Sequence, residues 1–385
     1  MVRTIAIITG SRAEYGLLQP LMTAVREDPR TDLALIVTGM HLDPRFGATV
    51  TTIAADGFEI AAQVAIPLAG DSPMAVARAM GVGLPGIAEV LERIKPAILV
   101  ILGDRYEMLC AAQAALLTNI PIAHIHGGES SEGAMDEAIR HAISKLSHLH
   151  FTAAEPYRNR VIQMGEDPAR VWNVGALGLE TIRTLQPMSR QALEESLQFA
   201  LGEHYFLITI HPETLSQDLF LHQVAELLDA FAAFPDHKLL FTGVNADPGH
   251  AAIDQMITCF CDNYPQRTLQ VQSLGQLRYL SAMHYCSAVV GNSSSGILEA
   301  PAMKVPTVNV GRRQQGRLRA KSVLDCDGAG ASIVKTLEKA LSPDFKAMVQ
   351  RASHPFGDGH CVEKIMDVLT TQHLDNLLVK RFYDL

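Results

Sequence analysis

The chain has 385 residues, more than one hydrophobic core usually organises, so two domains are expected. Its 48% hydrophobic and 19% charged content describes an ordinary soluble globular protein, and a net charge of −9 argues against bulk nucleic-acid binding, which needs a basic face. No apolar run reaches the roughly 18 residues needed to cross a bilayer, and MVRTIAIITGSRAEYG enters a strand-like segment with no cleavage site, unlike a signal peptide.

In chain order, strands are expected at TIAIITG (4–10), LALIVTG (33–39), AILVILG (97–103), IPIAHIH (120–126), LHFTAA (149–154) and VWNVGA (171–176). Between them lie segments with helical apolar spacing, such as YEMLCAAQAALLTN and MDEAIRHAISKLS. The more polar LQPMSRQALEESLQ (185–198) reads as a linker. The pattern then restarts with YFLITIHPE (205–213), KLLFTGVNADPG (238–249), TLQVQSLG (268–275), AVVGNSSSG (288–296) and VPTVNVG (305–311). Strands apolar on both faces and separated by helices indicate parallel sheets covered on both sides. The expected architecture is therefore α/β, with two Rossmann-like domains over 1–180 and 181–361 facing a cleft. A last helical pattern, roughly 362–382, can cap either unit, and 362–385 is expected to pack back on the first.

The six cysteines, Cys110, Cys259, Cys261, Cys286, Cys326 and Cys361, are scattered through apolar segments, and only Cys259 and Cys261 are close. Buried reduced thiols in a cytoplasmic protein are expected, not a disulfide framework or a zinc site.

In sheets of this kind, ligands bind beyond the carboxyl ends of the strands, and the polar signatures fall there. GNSSSGILEA (291–300) follows a strand and opens a helix; small residues and hydroxyls at a helix N-terminus suit a diphosphate, although a capped turn reads the same way. The Lys of a P-loop and the GxGxxG spacing are both missing. Ser293 and Ser294 are the candidate donors, and Glu299 can accept from ribose hydroxyls. TGSRAEYG (9–16) forms a similar junction, with Arg12 able to fork onto an anion and Gly10 and Gly16 allowing close approach. The loop GRRQQGR (311–317) supplies counter-charge to a diphosphate. His41 and His211 also follow strands.

The densest cluster is GDRYE, HIHGGE and MDEAIRH, holding Asp104, Arg105, Glu107, His124, His126, Glu129, Asp136, Arg140 and His141. His124 and His126 alternate on a strand and should share a face, so with Glu129 they can be read as a zinc or manganese site. The usual third-ligand spacing is missing, and organic acid/base chemistry ranks above metal. Asp136 and Arg140 lie four apart on a helix, where Arg140 can hold the carboxylate. A plain surface pair is the alternative. Two acids converging on one pocket split into acid and base.

TGSRAEYGLL, VTGMHL, GDRYE, HIHGGE, DEAIRHAISKLSHLHF, HPET, GNSSSGILEAP and GRRQQGR occur in this order from residue 9 to 317. Together they resemble the hydrolysing UDP-N-acetylglucosamine 2-epimerases of sialic-acid biosynthesis and relatives acting on 2,4-diacetamido-trideoxy UDP-sugars for legionaminic-type acids. The resemblance implies a glycosyltransferase-B-like fold and conversion of UDP-N-acetylglucosamine and water to N-acetylmannosamine and UDP. The implied route is anti elimination to a 2-acetamidoglucal followed by hydration, without metal or NAD. Carried over by position, it implies catalytic roles for Asp104 and Asp136 and places His211, also a catalytic candidate, near the nucleotide. It also implies UDP contacts at Arg12, Ser293, Ser294, Glu299 and Arg313, with Asn245 a weaker match, and a homodimer or homotetramer; Gly16, His41, Arg105 and Arg140 are further candidate substrate or UDP contacts. Many members read H-I-E-G-G-E where this chain has His126, with Glu129 three residues on, so either residue can take the third acid/base task.

Overall fold

A computed structural model of the chain describes residues 2–44, 49–67, 73–130, 135–211, 217–243, 250–374 and 376–385. The chain divides into two compact units, Met1–Thr181 with Phe356–Leu385, and Ile182–Pro355.

The first unit is built on seven parallel strands: β1 (Arg3–Thr9), β2 (Thr31–Thr38), β3 (Ile60–Val64), β4 (Ile98–Leu102), β5 (Ile122–Ile125), β6 (Leu149–Thr152) and β7 (Val171–Asn173). Their spatial order is β3-β2-β1-β4-β5-β6-β7, so β1 and β4 meet where the winding direction reverses. The central strands are continuous apolar runs because both faces are covered, and all of ILVIL in β4 is buried. One face packs on the helices Arg12–Glu27 and Cys361–Thr371 through Leu18, Met22, Ile365 and Leu369. The other packs on Pro73–Ile94 and Tyr106–Leu117 through Ala79, Ile87, Leu91, Met108 and Ala111.

The second unit has six parallel strands: β8 (His204–Thr209), β9 (His237–Thr242), β10 (Thr268–Val271), β11 (Ala288–Gly291), β12 (Thr307–Val310) and β13 (Val323–Cys326). Their order, β10-β9-β8-β11-β12-β13, repeats the same winding. Phe206, Ile208, Phe241 and Val290 face the helices Gln217–Ala230 and Gly330–Leu341, while Tyr205, Leu207 and Val289 face the opposite side.

Several expectations are corrected. Strands β3 and β13 were missed; both lie at sheet edges, where one flank is open and no continuous apolar run is needed. The expected linker contains a helix, Arg190–Leu197, capped by the Ser189 hydroxyl, and Leu193 and Leu197 are buried in the second unit's core. Its Leu193/Leu197 spacing is a short amphipathic stripe that the surrounding polar residues mask. The C-terminal helix stops at Thr371. Cys259 is exposed and Cys261 partly exposed, unlike the other four thiols. Met74–Ile94, with mean hydropathy 1.4, is long and apolar enough to cross a membrane. Here it buries Ala79, Ile87 and Leu91 against the sheet and carries Arg78, Glu89, Glu92 and Arg93.

Candidate active site

The first unit gathers its ionisable groups beyond β4 and β5. Gly103 ends β4 with φ +80; its N–H donates to the Ile125 carbonyl at 3.0 Å, and its own carbonyl accepts from His124 Nε2 at 2.8 Å. These bonds fix Asp104 at the strand end. The helix Met135–Leu146 turns Ile139, Arg140 and Ile143 inward, so the Arg140 guanidinium, on a residue only 6% exposed, reaches Asp104 and pairs with it. The partner expected for Arg140 was Asp136, four residues earlier. Arg140 also forms an ion pair with a carboxylate 36 positions away, because the inward face of the helix looks onto the end of β4, while its charge still acts on Asp136.

Asp136 lies in the first turn of that helix. Burial raises its pKa above the ordinary 3.8 and the neighbouring Asp104 charge raises it further, against the opposing effect of Arg105 and Arg140. A carboxyl raised in this way beside an ion-paired one suits a division into acid and base.

The HIHGGE turn departs from the strand geometry expected of it. β5 ends at Ile125, and His126 has φ +65. The two histidines therefore do not alternate along one strand. Buried His124 bonds Gly103 and Ser144, and burial lowers its pKa to about 3, leaving it a neutral strut. His126 faces other neighbours, with Nδ1 3.1 Å from Glu129 Oε1 and Nε2 accepting the Leu177 N–H at 3.2 Å. Among the described residues, no three His, Cys, Asp or Glu side chains gather in a way that could hold a metal ion.

The glycines that follow are required by contact. A Cβ on Gly127 would lie 2.9 Å from Ser144 Oγ. Gly128 has φ +76, and a Cβ there would lie 2.4 Å from the Tyr157 carbonyl oxygen. Gly128→Ala is expected to cost about 2 kcal/mol or more in urea unfolding, combining the left-handed backbone penalty with a displaced backbone carbonyl. A loss under about 0.5 kcal/mol would show that the turn adapts.

Beyond β1, Ser11 and Glu14 form a capping box on the helix Arg12–Glu27: the Glu14 carboxylate accepts from Gly10 N–H at 2.7 Å and Ser11 N–H at 3.1 Å. Burial raises the Glu14 pKa to about 7, with Glu107 adding to the rise and the two N–H bonds and Arg105 opposing it. Arg105 lies 3.3 Å from Glu107 and 3.9 Å from Glu14. Glu14 was overlooked in the sequence, although the S-x-x-E spacing was legible; its burial beside Arg105 was not. Arg12 is exposed at the first helical position. Gly16 lies within this helix, and nothing stands within 4 Å of where its Cβ would be, so no close approach inside the protein requires glycine there. His41, expected as a substrate contact, packs inside the first unit. It is fully buried with its ring nitrogens on Thr9 at 3.1 Å and Thr49 at 2.6 Å, and burial lowers its pKa to about 4.

In the second unit, His211 follows β8 and Asn292 follows β11. The Asn292 side chain clamps the His211 backbone, accepting its N–H at 2.7 Å and donating to its carbonyl at 2.8 Å. Gly291 has φ +125, and a Cβ would lie 2.0 Å from the Thr209 carbonyl oxygen, so the clamp sits on a glycine-only crossing. Arg313 Nη1 and Gln314 Nε2 donate to the Asn292 carbonyl at 3.1 and 2.8 Å, which brings GRRQQGR to the GNSSS turn. Burial, then the Arg313 charge, lowers the His211 pKa to about 4, so the ring is neutral at pH 7.

Ser293 Oγ accepts the Ser295 N–H at 3.3 Å, and Ser294 caps the helix Ser295–Ala302 without using its side chain. One turn on, Glu299 Oε2 is buried with no hydrogen-bond partner among the described residues, and burial raises the carboxyl's pKa. A buried acceptor left unused at a helix start is suited to a hydroxyl-bearing ligand. Asn245, with Pro212 and Glu213 of HPET, lies outside the described residues.

Comparison with known proteins places the chain among relatives of known description. A polysialic acid biosynthesis protein, P7, from Escherichia coli is 39% identical, covering 100% of this chain and 98% of its own length. A GDP/UDP-N,N'-diacetylbacillosamine 2-epimerase (hydrolyzing) from Campylobacter jejuni is 37% identical, covering 100% and 99%. Among solved structures, the UDP-GlcNAc 2-epimerase of Neisseria meningitidis bound to UDP-GlcNAc superposes with a TM-score of 0.76 at 16% identity, covering 95% and 99%. That likeness shows the fold, two parallel-sheet α/β domains of the glycosyltransferase-B-like kind. The sequence profile of the UDP-N-acetylglucosamine 2-epimerase family matches residues 23–370, and the chain belongs to that family of enzymes.

Proposed function

We propose that this enzyme is a hydrolysing 2-epimerase that converts UDP-N-acetylglucosamine and water into N-acetylmannosamine and UDP, feeding sialic-acid-type sugar biosynthesis. The observation that carries the reading is the Asp104–Asp136 pair, one carboxyl tied to Arg140 and the other raised in pKa. In the proposed reaction a carboxylate removes the C2 proton, and the C1–O bond breaks with its electron pair leaving on UDP. The resulting C1=C2 double bond then takes up water, hydroxyl at C1 and hydrogen at C2, with inverted configuration at C2. The C2 proton is weakly acidic, so the step needs a positioned base together with stabilisation of the departing diphosphate.

The second unit supports the leaving-group side of this reading. Arg313, the Ser293–Ser294 turn and the helix start at Ser295 suit a diphosphate, neutral His211 lies beside them, and Glu299 suits the ribose. Asn245 joins this set as a proposed contact, and Arg12 and Arg105 as proposed contacts from the first unit. A homodimer or homotetramer in the cytoplasm belongs to the same reading.

A second substrate is favoured by one relative's name. The Campylobacter protein is described as acting on N,N'-diacetylbacillosamine nucleotides, and the same elimination and hydration would serve a UDP-2,4-diacetamido-2,4,6-trideoxy sugar. Both UDP-sugars are to be offered side by side in deuterated water and followed by NMR. The expected result is free 2-epimerised sugar carrying deuterium at C2. Product without deuterium would rule out proton abstraction, and faster consumption of the diacetamido donor would move the substrate to the second reading.

A further inference from the structure

The HIHGGE turn contains a hydrogen-bond chain that distinguishes the duties of its two candidate acid/base residues. Leu177 opens the helix Leu177–Thr184, and its N–H is one of the donors that a helix start leaves without an internal partner. That N–H lies 3.2 Å from His126 Nε2. A backbone N–H can only donate, so Nε2 must present its lone pair, and in the neutral ring the proton then sits on Nδ1. Nδ1 lies 3.1 Å from Glu129 Oε1, so it donates to the carboxylate. Both side chains are mostly shielded, at 14% and 20% exposure, where such bonds are little weakened by water. The backbone locks the arrangement: His126 N–H donates to the Phe151 carbonyl at 2.9 Å, and φ +65 turns the ring away from the line of β5.

We infer that His126 is a positioning residue, which anchors the Glu129 carboxylate through Nδ1–H while Leu177 occupies its Nε2, and that the proton-transfer duty of this turn falls to Glu129. A proton delivered to Nε2 would face the Leu177 N–H, and one removed from Nδ1 would break the bond that orients Glu129. A carboxylate anchored through one oxygen remains a base, because accepting a hydrogen bond does not titrate it. The assignment of a proton-transfer duty rests on the reaction proposed above; the ring's tautomer does not.

Two measurements on the full chain test this. Long-range proton–nitrogen NMR of histidine-labelled protein, with the His126 signals identified by their loss in His126→Asn, reads the tautomer without any substrate. The expected result is Nδ1–H in the unliganded protein at pH 7.5; Nε2–H would overturn the inference. Kinetics reads the duty. Asn is the residue best suited to positive φ after glycine, and its amide can replace the Nδ1 donor. Glu129→Gln is expected to lower kcat about 10³-fold, His126→Leu about 10²-fold, and His126→Asn only about 10-fold, with KM nearly unchanged. Loss in His126→Asn equal to that in Glu129→Gln, with circular dichroism unchanged, would make His126 the acid/base itself. If the wild type consumes neither UDP-sugar, the reaction and with it the duty of Glu129 fall, while the NMR result still decides the tautomer.

Discussion

Asp136→Asn is expected to lower turnover about 10³-fold while leaving UDP affinity within about threefold, the scale set by losing a positioned general acid or base. Asn has nearly the same volume and keeps a hydrogen-bonding group, so the Asp104–Arg140 pair beside it survives. Of the proposed contacts, Arg313, Ser293, Ser294 and Glu299 lie in the other compact unit, which is why affinity should hold. Stability separates this loss from misfolding. The folded pKa of Asp136 is raised above 3.8, so the stabilising protonated form is fully present below 3.8 and is lost as pH rises through the folded value. At neutral pH the ionised carboxyl opposes folding, and the neutral amide removes that cost. Calorimetry at pH 7 should therefore show an unchanged or higher Tm in the inactive variant. Retention of more than a tenth of the wild-type kcat, or a fall in Tm parallel to the fall in activity, would remove Asp136 from the chemistry.

Glu166→Ala is the substitution expected to cost most in stability, about 3 kcal/mol or more, because it strips a buried carboxylate shared by the buried His150 and two lysines. The Glu166 side chain is 3% exposed and lies 2.6 Å from Lys145 Nζ, 2.7 Å from Lys380 Nζ and 3.0 Å from His150 Nε2. Burial alone would raise its pKa. The His150 hydrogen bond and charge, then the hydrogen bonds from the two ammonium groups, outweigh that and bring it down from 4.5 to about 2. Burial lowers the His150 pKa, against the opposing hydrogen bond and charge of Glu166. Lys380 also reaches the Lys145 and Ser147 carbonyls at 2.7 and 2.6 Å, and the Tyr383 N–H donates to Gly165 at 2.9 Å. Glu166 thus ties the C-terminal tail to β6 and the helix Met135–Leu146 that carries Asp136. Lys145 is 40% exposed and can turn to water, which holds the expected cost at the lower end of the range. A folded pKa below the ordinary value stabilises above 4.5 and loses that contribution as pH falls towards about 2. The gap between wild type and Glu166→Ala in urea unfolding should be full at pH 7 and narrow below about 4.5; a gap that is flat with pH would show that the loss is one of packing alone.

The site was legible in part. Asp104, Asp136, Glu129 and Arg140 stand out because strand-end acids and a basic helix position sit in short, recognisable stretches. The i,i+4 spacing shows Arg140 near Asp136, but only the packed helix shows its ion pair with Asp104. The HxH alternation does not hold. A period of two holds only while the chain stays extended, and φ +65 at His126 ends it. The two glycines that follow were a signal of that turn. Glu14 and Glu166 carry ordinary local patterns, and their perturbed titration comes from burial beside residues distant in the chain.

By itself the sequence determined the alternation of strands and helices, the restart of the pattern near residue 205, and the placement of polar groups after strands. These are properties of backbone period and of apolar runs, which are written locally. The tertiary structure decided the edge strands β3 and β13, the return of the C-terminal helix to the first sheet, and the partner each ionisable group takes. Those depend on which distant surfaces are buried together. Asp104 and Arg140 lie 36 positions apart, and only the packing of a helix face against the end of β4 makes them a pair.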